Sequence, residues 1–158
     1  MPRPTRRSTR RANVNVTEVT YLPDILKKLE ELTKYEVHIG ASGDAETAMI
    51  AAIHEFGSLA AGIPARPFIS GGKRKAQAAI SRLVKAGVNE IILKNETAHG
   101  LLDKVGQTGL QKMLQNFDKI RQPSLNPIYA RRKGSNKILV GQEEKLRDSL
   151  TFVVVRKR

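Results

Sequence analysis

The sequence predicts an α+β domain: a small mixed or antiparallel sheet packed against helices, with a long two-segment helical middle and extended basic loops. Three observations lead there. Apolar residues recur at helical spacing over most of residues 73–120. Two short alternating or β-branched stretches, 35–40 and 151–155, stand on either side of that middle. Gly- and Pro-rich or basic segments separate the pieces. A length of 158 residues with 40% apolar side chains suits one domain with one modest core.

Each element has a local reason. Residues 1–12 hold Pro, Arg, Ser and Thr with nothing to bury, and read as a disordered basic arm ahead of a single domain spanning 13–158. Pro23 and Asp24 open a helix in which Ile25, Leu26, Leu29 and Leu32 share one face. Tyr35, Val37 and Ile39 alternate with Glu36 and His38, as in a half-buried strand. Residues 41–44 form a turn, and 45–56 a second helix with Gly57 as its stop.

Residues 57–72 read as a loop, because Gly57, Gly62, Pro64, Pro67, Gly71 and Gly72 fall within it. The long helical pattern starts at Lys73. Gly87 inside it costs about 1 kcal/mol relative to Ala and implies a bend or a close helix contact. His99-Gly100 interrupts the pattern, and Gly106 and Gly109 weaken its second half. Residues 121–137 read as a mobile basic loop, 143–150 as a short helix, and 151–155 as the closing strand.

The net charge of +13 is not spread evenly. Residues 1–12, 121–137 and 156–158 contain thirteen cations and no acid, so the rest of the chain is balanced. A neutral body thus carries three basic extremities, a pattern suited to phosphates or to an acidic partner. Cys is absent, which excludes disulfides, thiolate metal sites and Cys nucleophiles. No stretch approaches the ~18 apolar residues of a membrane span, and no apolar segment follows the basic N-terminus as in a secretory signal.

Catalytic patterns fail on inspection. His54-Glu55 begins like a zinc-protease motif, but position 58 is Ser where a second His is required. His38 and His99 lack ligand-like spacing. Gly71-Gly72-Lys73 resembles part of a phosphate loop, yet Pro67 replaces the leading Gly and Arg74 the magnesium-holding hydroxyl. Asp24, Asp44, Asp103 and Asp148 are scattered singly. No enzyme activity, metal or cofactor is expected.

One block is distinctive. Met49-Ile50-Ala51-Ala52-Ile53-His54-Glu55-Phe56-Gly57, a short gap, then Ile63-Pro64-Ala65-Arg66-Pro67-Phe68-Ile69 resembles the tail-completion proteins of long-tailed bacteriophages. These are also called neck or virion-morphogenesis proteins and are related to minor tail proteins. The closing segment Leu146-Arg147-Asp148-Ser149-Leu150-Thr151-Phe152 is similar to that family's helix-to-strand ending. The likeness runs from about Tyr35 to Val155. It departs where Gln142-Glu143-Glu144 stands in place of the family's Asp-Thr-Gly, and the basic arm has no counterpart.

The resemblance implies a structural virion protein, made in the host bacterial cytoplasm, that forms a ring at the neck, completes the tail and joins it to the head. Implied partners are further copies of itself in six-fold related symmetry, a head-side connector or stopper, a tail terminator or tube protein, and genomic DNA in the channel. Expected subunit or neck contacts are Glu55, Phe56, Pro64, Arg66, Pro67 and Phe68, and Arg131, Arg132 and Lys133 are expected to meet a partner or DNA.

From the residues themselves, Pro64 and Pro67 stiffen the loop, and Phe68 either plugs the core or meets a neighbour. Glu55 and Arg66 either pair across the loop or a subunit boundary, or are separately solvated. A second reading, a small basic nucleic-acid-binding protein, rests on the charge. Only 4% of residues are aromatic, which weighs against it.

Overall fold

A computed structural model describes residues 4–8, 15–93, 96–134, 137–139 and 145–158. Its order is β1 (Pro4–Ser8), β2 (Asn15–Val19), α1 (Leu22–Thr33), β3 (Tyr35–Ala41), α2 (Ala45–Phe56), α3 (Phe68–Ile92), α4 (Ala98–Lys119), α5 (Pro127–Lys133), α6 (Lys145–Asp148) and β4 (Leu150–Arg156). The fold is α+β, with the long helices in the middle.

The framework is the α3/α4 pair, joined by residues 93–97 and running antiparallel. The glycines show how closely the helices approach. A Cβ on Gly72 would lie 2.6 Å from Met113 Cα, and one on Gly87 would lie 2.2 Å from Leu101 Cδ1. The expected close contact at Gly87 is therefore present. Phe68 packs edge-on against Phe117, with ring centroids 5.3 Å apart, and both are buried.

β3 and β4 pair antiparallel, with Ile39 opposite Phe152 and Val37 opposite Val154. Directly opposite residues share a face. Ile39 and Phe152 seat on α4 where it lacks side chains: a Cβ on Gly106 would fall 2.1 Å from Phe152, and one on Gly109 would fall 2.2 Å from Ile39. The residues that weaken the helix locally are those that admit the sheet. A two-stranded ladder is marginal alone, and helix packing supplies what it lacks. On the other face, exposed His38 and Glu36 hydrogen-bond at 2.7 Å.

Several sequence expectations need correction. Pro4–Ser8, placed in a disordered arm, instead pairs antiparallel with Asn15–Val19, a segment whose Val16, Thr17 and Val19 favour strands. The remainder of the 1–12 arm lies outside the described residues. The 57–72 loop ends early, because α3 already begins at Phe68 and includes Gly71 and Gly72. α3 ends at Ile92 and α4 begins at Ala98, so His99-Gly100 lies inside a helix rather than at the break, and Thr97 caps α4 by accepting from the Gly100 N–H at 3.0 Å. The 121–137 segment, read as loop, contains α5, started by Asn126 as cap and Pro127 and ended by left-handed Gly134. Residues 142–144, where the sequence departs from the family pattern, lie outside the described residues.

Candidate functional site

The distinctive block folds into one corner built from the end of α2, residues 57–67 and the start of α3. Gly57 leaves α2 at φ +79°, where a side chain would strike the backbone of residues 63–65. The Ser58 and Ile63 backbones then exchange N–H···O bonds of 2.8 and 2.9 Å, closing a tight turn with Leu59 at its tip. The Arg66 N–H returns to the His54 carbonyl at 2.7 Å. Pro64 and Pro67 hold this return segment extended and remain exposed.

Glu55 has a task that sequence reasoning did not assign. α3 starts after Pro67, which has no side-chain acceptor, so its first N–H groups lack partners. Glu55 reaches across from α2 and accepts from Ile69 N–H at 2.8 Å and Ser70 N–H at 2.9 Å. It is only 8% exposed. A carboxylate on a helix N-terminus is favoured by both hydrogen bonding and the helix dipole.

Asn116 of α4 braces the same junction. Its amide donates to the Phe68 carbonyl at 2.9 Å, and its oxygen accepts from Lys75 Nζ at 2.6 Å. A lone amide between Met113 and Phe117 on an otherwise apolar stripe is the signal that could have identified it.

Arg66 does not pair with Glu55. It is 5% exposed and donates from Nε to the Pro123 carbonyl at 3.0 Å and from Nη2 to the Ser124 carbonyl at 3.3 Å. These bonds tie the corner to the segment before α5. Phe68 is 0% exposed and belongs to the core. Three of the six expected contact residues, Glu55, Arg66 and Phe68, are thus turned inward, because each satisfies or fills something within the chain.

What the corner presents outward is apolar. Phe56 is 81% exposed and Leu59 103%. With the exposed Met49 and Ala52 of α2, Phe56 lies on one helical stripe at positions i, i+3 and i+7, and Leu59 follows in the turn.

The Arg131-Arg132-Lys133 run is divided by the helix that carries it. Arg132 and Lys133 line a cleft of about 910 Å³ between α2, the 57–67 turn and α5, together with Arg66 and His54; Arg131 does not. Lys133 donates to the carbonyls of Lys137 and Ile138 at 2.7 and 3.1 Å. Burial, then the charges of Arg66 and Lys133, hold the His54 imidazole below its usual pKa of 6.5. Its Nδ1 is buried without a partner among the described residues. Lys133 is likewise lowered by burial and by Arg66.

Among the described residues, no group of three or more His, Asp or Glu is placed to hold a metal ion, and no helix is long and apolar enough to cross a membrane. Comparison with known proteins finds no family model, no curated protein and no solved structure that matches this chain.

Proposed function

We propose that this chain is a structural subunit that assembles head-to-tail into a ring at the neck of a tailed bacteriophage, completing the tail and joining it to the head connector. The observation that carries the reading is the outward ridge of Met49, Ala52, Phe56 and Leu59 on a corner whose Glu55, Arg66 and Phe68 are locked inward. Burying one Phe side chain is worth about 1.5–3 kcal/mol. A soluble subunit that fixes such a side chain in the open, on a braced support, is presenting it to something. The same block carries the resemblance to the tail-completion family, so motif and exposed ridge coincide.

Head-to-tail contacts are heterologous, and they close only when the rotation per subunit is right. The ridge then meets a different surface on the next copy. In this reading, the exposed Arg131 is available to the head connector, the tail tube or DNA in the lumen.

Native mass spectrometry with negative-stain microscopy tests the proposal. The wild-type protein is expected to form closed rings of more than two copies. A Phe56→Ser/Leu59→Ser variant should remain monomeric with an unchanged melting temperature. A wild type that stays monomeric or two-fold dimeric at about 100 μM, well above the Kd of ordinary oligomer contacts, sinks the reading.

A further inference from the structure

The cleft between α2, the 57–67 turn and α5 has a positively charged lining. Among the described residues that line it, Arg66, Arg132, Lys133 and Lys145 are cationic and none is a carboxylate. Arg66 lies close enough to Lys133 to add to the lowering that burial causes there, and no carboxylate stands in the described lining to offset either charge.

Arg66 and Arg132 have donors to spare among the described residues. Arg66 is about nineteen-twentieths buried yet uses only Nε and one Nη2 proton, both on backbone carbonyls. A guanidinium has five donors, so three, including both on Nη1, have no partner among the described residues. Arg132 makes no hydrogen bond or ion pair with described residues and is exposed. In the same wall, His54 Nδ1 is a buried polar atom without a partner among the described residues.

Most of the remaining lining is apolar, with Ile53, Ile63, Tyr129 and Leu139 among its members. A volume of about 910 Å³ lies near the top of the ~300–1,000 Å³ range of ligand clefts, far more than a single ion fills. The occupant must therefore combine a carboxylate with apolar bulk. Single-strand binders stack successive bases on several aromatic rings, and Tyr129 is the one Phe, Tyr or Trp among the described lining residues.

We propose that this cleft is a docking site for an acidic-apolar peptide segment of a partner protein, with one carboxylate held by Arg66, Arg132 and Lys133 and adjoining apolar side chains resting on Ile53, Tyr129 and Leu139. The guanidinium of Arg66, fixed in place by Pro123 and Ser124, offers a planar fork to the carboxylate. The site is separate from the ridge and does not depend on ring formation.

The test uses the full chain and an array of labelled heptapeptides, in which Asp or Glu is placed at each position of a Leu/Phe-containing host and every acid has its Asn or Gln twin. Fluorescence anisotropy should show acid peptides binding about tenfold or more tightly than their amide twins, with the preference shrinking at high salt. Arg132→Gln, which removes no bond that holds the fold, should weaken the best acid peptide several-fold without shifting the melting temperature. By NMR, the bound carboxylate should raise the pKa of His54.

Equal binding of acid and amide twins, no peptide binding tighter than about 1 mM, or displacement of the peptides by an oligothymidylate strand would each overturn the proposal. An Arg132→Gln protein that retains full acid preference would do so as well. Oligomeric state, measured on the same Arg132→Gln protein, separates this result from the ring: rings that persist while peptide binding fails leave the proposed assembly intact.

Discussion

Glu55 is the residue on which the architecture of the corner turns, and Glu55→Gln isolates what its charge does. The wild-type carboxylate accepts two N–H groups, at 2.8 and 2.9 Å, from the first turn of a 25-residue helix. Glutamine keeps one acceptor oxygen and turns an NH₂ donor toward the other N–H. One charge-assisted bond is lost, worth about 1.5–3 kcal/mol, and the surviving bond becomes a neutral one of about 1 kcal/mol. The helix dipole loses a charge at its N-terminus, worth about 0.3–1 kcal/mol. Partial relaxation offsets some of this, so the expected loss is about 2–3 kcal/mol. For a chain of this size about 2–4 °C accompanies each kcal/mol, which places the drop in melting temperature near 5–10 °C. Glu46→Gln, an exposed carboxylate in the first turn of α2, is the control and should cost no more than about 0.5 kcal/mol. Calorimetry and urea unfolding at pH 7 are the measurements. If Glu55→Gln melts within about 1 °C of wild type, beyond what the size scaling permits, the carboxylate is not capping α3 and the account of the corner is wrong.

Other substitutions probe the remaining joints. Phe68→Ala removes a fully buried ring packed on Phe117 and should cost about 3–5 kcal/mol in urea unfolding; a loss under about 1 kcal/mol would mean that Phe68 sits outside the core. Gly106→Ala should destabilise by about 1–3 kcal/mol, since its methyl would meet Phe152, whereas Gly40→Ala, which meets nothing within 4 Å, should be near neutral or better. The His54 pKa is depressed below its usual 6.5, so between the two values the unfolded chain holds more protons than the folded one. Its contribution to stability is complete above about pH 6.5 and declines as pH falls toward the folded value. Wild type should therefore lose more stability between about pH 7.5 and 5.5 than His54→Gln does, and equal losses would show that His54 is not held neutral.

Much of this fold is written in local pattern. The alternation at Tyr35, Val37 and Ile39, the apolar stripe beginning at Ile25, the small apolar residues of 45–56 and the β-branched ending each specify an element through period alone. Charge segregation is likewise a property of the sequence, as is the stiffness that Pro64 and Pro67 give their loop. Glycine misleads where Gly71 and Gly72 read as loop, while Gly106 and Gly109 only weaken a helical pattern that is present. Gly71, Gly72, Gly106 and Gly109 argue against helix by intrinsic propensity, yet all four lie in helices, because what they lose in backbone entropy is offset by backbone contact with Asn116, Met113, Phe152 and Ile39. That compensation involves residues tens of positions away and has no local signature.

The same holds at the candidate site. The sequence by itself marked the block from Met49 to Ile69 and the basic run near 131–133, since both depend on which residue types stand next to one another. Only tertiary structure decided their orientation. Whether Glu55 meets Arg66 or the start of α3 depends on where a helix capped by proline places its unpaired N–H groups. Whether Phe68 or Phe56 faces outward depends on which of them finds Phe117. Arg66, Lys133 and His54 share a cleft because α5 folds back over residues 57–67, bringing together cations more than sixty positions apart. Burial and charge proximity are properties of that folded neighbourhood, and no spacing along the chain encodes them.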